Sequence, residues 1–192
     1  MFHADSPGDP KRRPQDPDGG AAARQALDAL FTATYVELRR LAGQVRSDDP
    51  HATLSPTALV NEAWLKLSSS PGLTIGSKLH FMRLAARAMR QVLVDAARRR
   101  KADKRGGGVA FVTLDEAHDA GITTADDLLG LDAALEELAR IEPRHALMVE
   151  CRFFGGLGIP ETAELLGVSE TTVLRDWRAA RAWLARELRR SP

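Results

Sequence analysis

The side chains best placed to do chemistry lie between Pro160 and Trp177, in the stretch PETAELLGVSETTVLRDW, which is followed by Arg178. A guanidinium can donate two parallel hydrogen bonds to guanine, and a threonine hydroxyl can donate to or accept from base edges. Thr171, Thr172, Arg175 and Arg178 would project from the N-terminal half of a helix, the part that enters a major groove in helix-turn-helix proteins. A second basic set, Arg83, Arg87 and Arg90, repeats at steps of four and three and so shares one helical face, with Arg98 to Arg105 crowding the end. The helix dipole favours cations at a C-terminus, but nine basic residues against two Asp between Phe81 and Arg105 exceed that need. A positive groove of this kind holds single-stranded nucleic acid. Trp64 could offer a stacking platform, although its place in an apolar stripe favours a core role. The raw material for an enzyme is poor. The five histidines are scattered without metal-ligand spacing, no glycine-rich phosphate loop follows a strand, and no cofactor is expected.

These groups need helices to position them. Leu27, Leu30, Phe31, Thr34, Leu38, Leu41 and Val45 recur at steps of three and four, forming one stripe from Arg24 until Asp48-Asp49-Pro50 ends it. Ser55 and Pro56 read as N-cap and first residue of a second helix with Leu59, Val60, Ala63, Trp64 and Leu67 inward. From Ser77 a long helix runs to about Asp103, with Met82, Ala86, Met89, Leu93 and Ala97 as its stripe. Three such helices make a bundle. Gly106-Gly107-Gly108 breaks the pattern and opens a connector whose only strand-like piece is Val109 to Leu114. Helicity resumes through Leu128, Leu131, Leu135 and Leu138, restarts at Pro143, and stops at Gly155-Gly156. Two further helices, Pro160 to Leu166 and Ser169 to about Arg190, flank a turn in which Gly167 supplies the positive φ. Ala163 is small where those two helices approach, and Leu166, Val168 and Val173 fill the wedge between them.

The expected fold is therefore all-α, two small helical domains joined by a flexible linker. The divisions are a disordered tail over 1–23, a three-helix domain over 24–105, the linker over 106–125 and a helix-turn-helix domain over 126–192. The tail is rich in Pro, Gly and Asp and lacks the apolar run of a signal peptide. With 44% apolar and 28% charged residues, no membrane-length apolar segment and one cysteine, Cys151, a cytoplasmic protein without disulfides is expected. Cys151 itself reads as a small core residue. Net charge is only +1, yet Gly106 to Glu142 carries nine acids against one arginine, and Glu170 to Arg190 carries six arginines against three acids. Two basic modules flank an acidic connector, which could shield them in the free protein.

From about Leu27 to Leu188 the chain resembles the sigma-70 superfamily, in particular the short extracytoplasmic-function (ECF) sigma factors. PTALVNEAWLKL from Pro56 resembles region 2.2, the helix that docks on the polymerase clamp. HFMRLAARAMRQVLVDAARRR from His80 resembles regions 2.3 and 2.4, which melt and read the minus-ten element. RFFGGL from Arg152 and the helix-turn-helix through RAARAWL from Arg178 resemble region 4, which reads the minus-thirty-five element. The short linker leaves no room for a folded region 3, the mark of the ECF group. The resemblance implies core RNA polymerase and promoter DNA as partners, leaves room for an anti-sigma factor, and implies neither enzyme activity nor a membrane. It assigns docking to Asn61, Glu62 and Lys66, minus-ten or single-strand contact to Arg83, Arg87, Arg90 and Arg98, and minus-thirty-five contact to Thr171, Thr172, Arg175 and Arg178. Two positions depart from the family pattern. Ala58 stands where an acid is common, so Asn61 and Glu62 carry more of the docking, and Leu174 stands where a polar residue is usual. The alternative is a stand-alone helix-turn-helix regulator, typically a dimer on a palindrome, which leaves the first three helices without a role.

Overall fold

The computed structural model describes residues 17–45, 54–70, 73–103 and 124–190. Among these residues there are seven helices and no strand: α1 (Pro17–Val45), α2 (Pro56–Ser68), α3 (Lys78–Asp103), α4 (Ala125–Ile141), α5 (Pro143–Phe153), α6 (Ile159–Leu166) and α7 (Glu170–Leu188). The all-α expectation holds. The connector over 106–123, including the strand-like Val109 to Leu114, lies outside the described residues, as does residues 1–16 of the expected tail. Helix α1 begins at Pro17, ahead of the expected start at Arg24. A proline in the first turn and the alanine run at 21–23 favour helix where apolar periodicity alone gives no signal.

Local chemistry explains the other boundaries. Ser55 Oγ accepts from the Ala58 amide at 3.1 Å, ahead of Pro56 at N1. The α2 C-terminus is closed by Arg24, whose guanidinium donates to the Ser68 carbonyl at 2.8 Å. Helix α4 starts in a reciprocal capping box, in which the Asp127 amide donates to Thr124 Oγ1 and the Thr124 amide donates to the Asp127 carboxylate. Glu161 accepts the Gly158 amide at 2.7 Å to open α6, and Ser169 accepts the Thr172 amide at 3.2 Å to open α7.

Helices α1, α2 and α3 pack as the expected bundle, and α4 to α7 pack around one another. The inner faces are those the periodicity gave, with Leu38, Leu41, Leu59, Val60, Met82, Ala86, Met89, Leu131, Leu135 and Leu138 all buried. The two groups also meet. Helix α3 lies against α4 and α5 as well as against α2, and the buried side chains form one continuous cluster. Besides its first stripe, α3 buries Phe81, Ala85, Ala88 and Val92. Its alanines let neighbouring helices approach closely.

The turn after α5 is part of this contact. Gly155 lies against Ala86, and Gly156, with φ 62°, lies against Leu41 so closely that a Cβ would fall on the leucine side chain. Gly167 has a similar φ of 64° but open space where its Cβ would be. Gly156→Ala should therefore cost about 2–4 kcal/mol, from left-handed strain plus displacement of Leu41. Gly167→Ala should cost only the strain, about 1–2 kcal/mol. Urea unfolding of the two variants checks the order.

Candidate nucleic-acid interface

Helix α7 turns Val173, Asp176, Ala180 and Leu184 inward. Its 3.6-residue period then leaves Thr171, Leu174, Arg175 and Arg178 exposed on the other side. Three of the four expected groove residues, Thr171, Arg175 and Arg178, are thus exposed at the surface. Thr172 is half-buried, and its hydroxyl lies 2.9 Å from that of Ser169, within the cap.

The support behind this face was not anticipated. The buried Asp176 accepts from Arg144 of α5 at 2.6 Å, has His145 Nε2 at 3.5 Å, and is touched by the exposed Arg175 guanidinium at 3.3 Å. Burial alone would raise its pKa, but the hydrogen bonds from Arg144 and Arg175 and the charges of Arg144 and His145 more than offset this and hold it below the usual carboxylate range. One residue away, the Trp177 ring carries the Arg152 guanidinium at 4.4 Å. Sequence reasoning could have asked why an acid sits at 176 among arginines; its register with Val173 and Ala180 was the available signal.

The arginines of α3 divide. Arg83 and Arg87 are exposed, whereas only 15% of the Arg90 side chain is accessible. Arg90 Nε donates to Asp132 Oδ1 at 2.9 Å, its terminal nitrogen lies 2.8 Å from the same oxygen and donates to the Asp132 carbonyl, and Glu150 is 3.8 Å away. Arg98, largely exposed, reaches Asp132 at 3.4 Å, and Lys101 pairs with Asp126 at 2.9 Å. A cleft of about 720 Å³ lies between α3 on one side and α4 with α5 on the other, lined by Lys66, Arg83, Arg87, Arg90 and Arg98 among others. No α7 residue lines it, so the two basic sets remain separate surfaces. Burial raises the pKa of Glu150 in this cleft, and the charges of Arg90, Arg87 and Arg83 oppose the rise.

On α2, Asn61 and Glu62 are exposed and Lys66 pairs with Asp95 of α3 at 2.9 Å, both side chains nearly half accessible. Such a pair contributes little and leaves the lysine free to change partner. Trp64 stacks on Phe31 with centroids 4.3 Å apart, the core role its stripe position favoured. No cluster of His, Cys, Asp and Glu among the described residues could hold a metal ion, and none of their helices is long and apolar enough to cross a membrane.

The family model of ECF sigma factors matches residues 16–190, which takes in every described helix. The chain belongs to the ECF sigma factor family. This family acts in transcription initiation, binding RNA polymerase and directing it to promoters. No curated protein and no solved structure matches the chain. In this sigma factor the exposed arginines of α7 and α3 lie on two different helices, both backed by the one continuous core.

Asp176 offers a test of the α7 support. A carboxyl held below its unfolded pKa stabilises the fold above the unfolded value, and that stabilisation is lost as pH falls through the folded one. Asp176→Asn should cost about 2 kcal/mol at neutral pH, the typical value of hydrogen bonds to a charged group. Its stability should also fall less steeply than that of the parent on acidification, as urea unfolding across pH reads directly.

Proposed function

We propose that this sigma factor divides promoter recognition between its two basic helices. In this reading residues 24–105 dock on core polymerase and hold the melted minus-ten strand, and residues 126–192 read the minus-thirty-five element. The observation that carries it is the presence of two separate exposed arginine surfaces, Arg175 and Arg178 on α7 and Arg83 and Arg87 on α3, in one chain of this family. Thr171 supplements the α7 face, and Thr172 supports it from within the cap. Arg90 and Arg98 would join Arg83 and Arg87 once their acidic partners are displaced. Asn61, Glu62 and Lys66 form the polar outer face of α2 and are the proposed polymerase contacts. The chemistry asked of the chain is positioning, with no catalytic group and no cofactor.

Promoter-dependent transcription by core polymerase plus purified protein tests the reading as a whole. If core polymerase with this protein starts no transcription at any defined promoter, while the lone protein binds a palindromic duplex tightly, a stand-alone regulator replaces it. Glu62→Lys should weaken binding to core polymerase without unfolding the chain, since Glu62 is exposed; unchanged affinity would remove α2 from the docking surface.

The two arginine surfaces should fail differently. Arg175→Ala should cost about 1–3 kcal/mol and relax preference at one or two upstream positions, the usual value of a bidentate base contact. Arg87→Ala should lower open-complex formation with little change in upstream preference, because contacts to the strand backbone position without specifying. Permanganate footprinting detects unpaired thymines and separates the two outcomes; the opposite pattern would exchange the assignments.

A further inference from the structure

Arg90 lies on the face proposed for the single strand, yet it is largely buried, and what buries it is acidic. Its guanidinium grips Asp132 through Nε and a terminal nitrogen and reaches the Asp132 carbonyl as well, a forked contact of the type arginine makes to carboxylate or phosphate. The contact repeats along the helix. Arg90 and Arg98 meet Asp132, and Lys101, further along α3, meets Asp126, earlier in α4. The two helices thus run in opposite directions with cations facing carboxylates. Glu150 of α5 adds a carboxylate beside Arg90. On this face Arg83 and Arg87 are exposed at the open cleft, and Arg98 is largely exposed although it meets Asp132.

We infer that the acidic side of α4 and α5 is an internal competitor for nucleic acid, with Asp132, Glu150 and Asp126 occupying the cations of α3 where strand phosphates would sit. In the free chain the minus-ten face is then half-closed, with Arg83 and Arg87 as the first cations a strand can reach. Full engagement requires α4 and α5 to leave α3, which core polymerase would bring about by binding the separated arrangement better than the closed one. Any ligand of the separated arrangement binds with an affinity reduced by the fraction of chains that are open. This rests on the reading of α3 as the strand-binding helix, and it goes further by naming what covers that helix and which charges do so.

The contact is not electrostatic alone, since Gly155 lies on Ala86 and Gly156 on Leu41. Neutralising Asp132 should therefore only loosen the clasp, whereas reversing its charge beside Arg90 should open it. Cysteines introduced by Ser69→Cys and Arg140→Cys, at exposed positions on α2's end and on α4, carry a donor and an acceptor dye, and the native Cys151 is buried and stays unlabelled. In the full chain without polymerase, Asp132→Arg should lengthen the interdye distance. It should also tighten binding of a short mixed-sequence single-stranded oligodeoxynucleotide by about tenfold, a typical coupling between conformational states. Asp132→Asn should move both readings the same way by less. Ala133→Arg places the same side chain, and half of that change in charge, at an exposed neighbouring position, and should change each reading by much less than half as much. Arg90→Asp combined with Asp132→Arg should shorten the distance relative to Asp132→Arg alone by rebuilding the pair in reverse, though only in part, because Glu150 and Arg98 then face like charges.

The inference is overturned if Asp132→Arg leaves the distance unchanged, if the exchanged pair gives no shorter distance than Asp132→Arg alone, or if Ala133→Arg gains half or more of the oligonucleotide affinity that Asp132→Arg gains. Opening without a gain in oligonucleotide binding overturns it too. The distance needs neither polymerase nor promoter, so its failure is distinct from failure of the promoter-recognition reading, which transcription with core polymerase judges.

Discussion

The structure depends on α3 meeting several neighbours at once. A helix can do this only if its buried residues are small enough for close approach and its cations have somewhere to go. Ala85, Ala86, Ala88 and Ala97 meet the first condition, being buried where bulkier side chains would hold neighbours apart. The second is met in two ways, by exposure at Arg83 and Arg87 and by carboxylates at Arg90 and Arg98. Arg90 marks how constrained the arrangement is. Removing one partner of a buried ion pair commonly costs about 3–5 kcal/mol, because the other charge is left uncompensated. A chain that places an arginine there must also bring an acid to it, and the pairing therefore fixes the register between α3 and α4.

Much of this was legible in the sequence. Helix faces followed apolar periodicity closely: Met82, Ala86, Met89, Leu93 and Ala97 were read as one stripe and all are buried. The caps at Ser55 and Ser169 and the left-handed Gly167 were equally readable, because each answers a local requirement of the backbone. Pairings between distant segments were not. The segregation of charge showed that an acidic stretch follows a basic one, but no local rule says that Asp132 meets Arg90 rather than water. The second buried face of α3, with Phe81, Ala85, Ala88 and Val92, was likewise missed, since alanines belong as naturally to an exposed helix as to a crowded one. At 124 the signal was present and unread: Thr124 and Asp127 have the spacing of a capping box.

The α7 face illustrates a division of labour between rigid and mobile groups. Arg175 has 74% of its side chain accessible and is held only loosely, so its guanidinium can adjust to what it meets. The backbone beneath it has far less freedom. Asp176 ties α7 to the start of α5 through Arg144, and Arg152 presses on Trp177 from the end of the same helix. Two points of attachment on α5 fix both the rotation and the tilt of α7, which decide where any side chain on its outer surface can reach.

Cys151 lies in the same helix as Arg144 and Arg152, fully buried, and burial together with the neighbouring Glu150 pushes its thiol up to about 12. At physiological pH almost none of it is thiolate, the form that attacks peroxides and disulfides. The chain's one sulfhydryl is therefore chemically mute while the fold is intact. Oxidative stress would have to be reported to this protein by some other molecule, and its sulfur would react only after α5 had come away from the core.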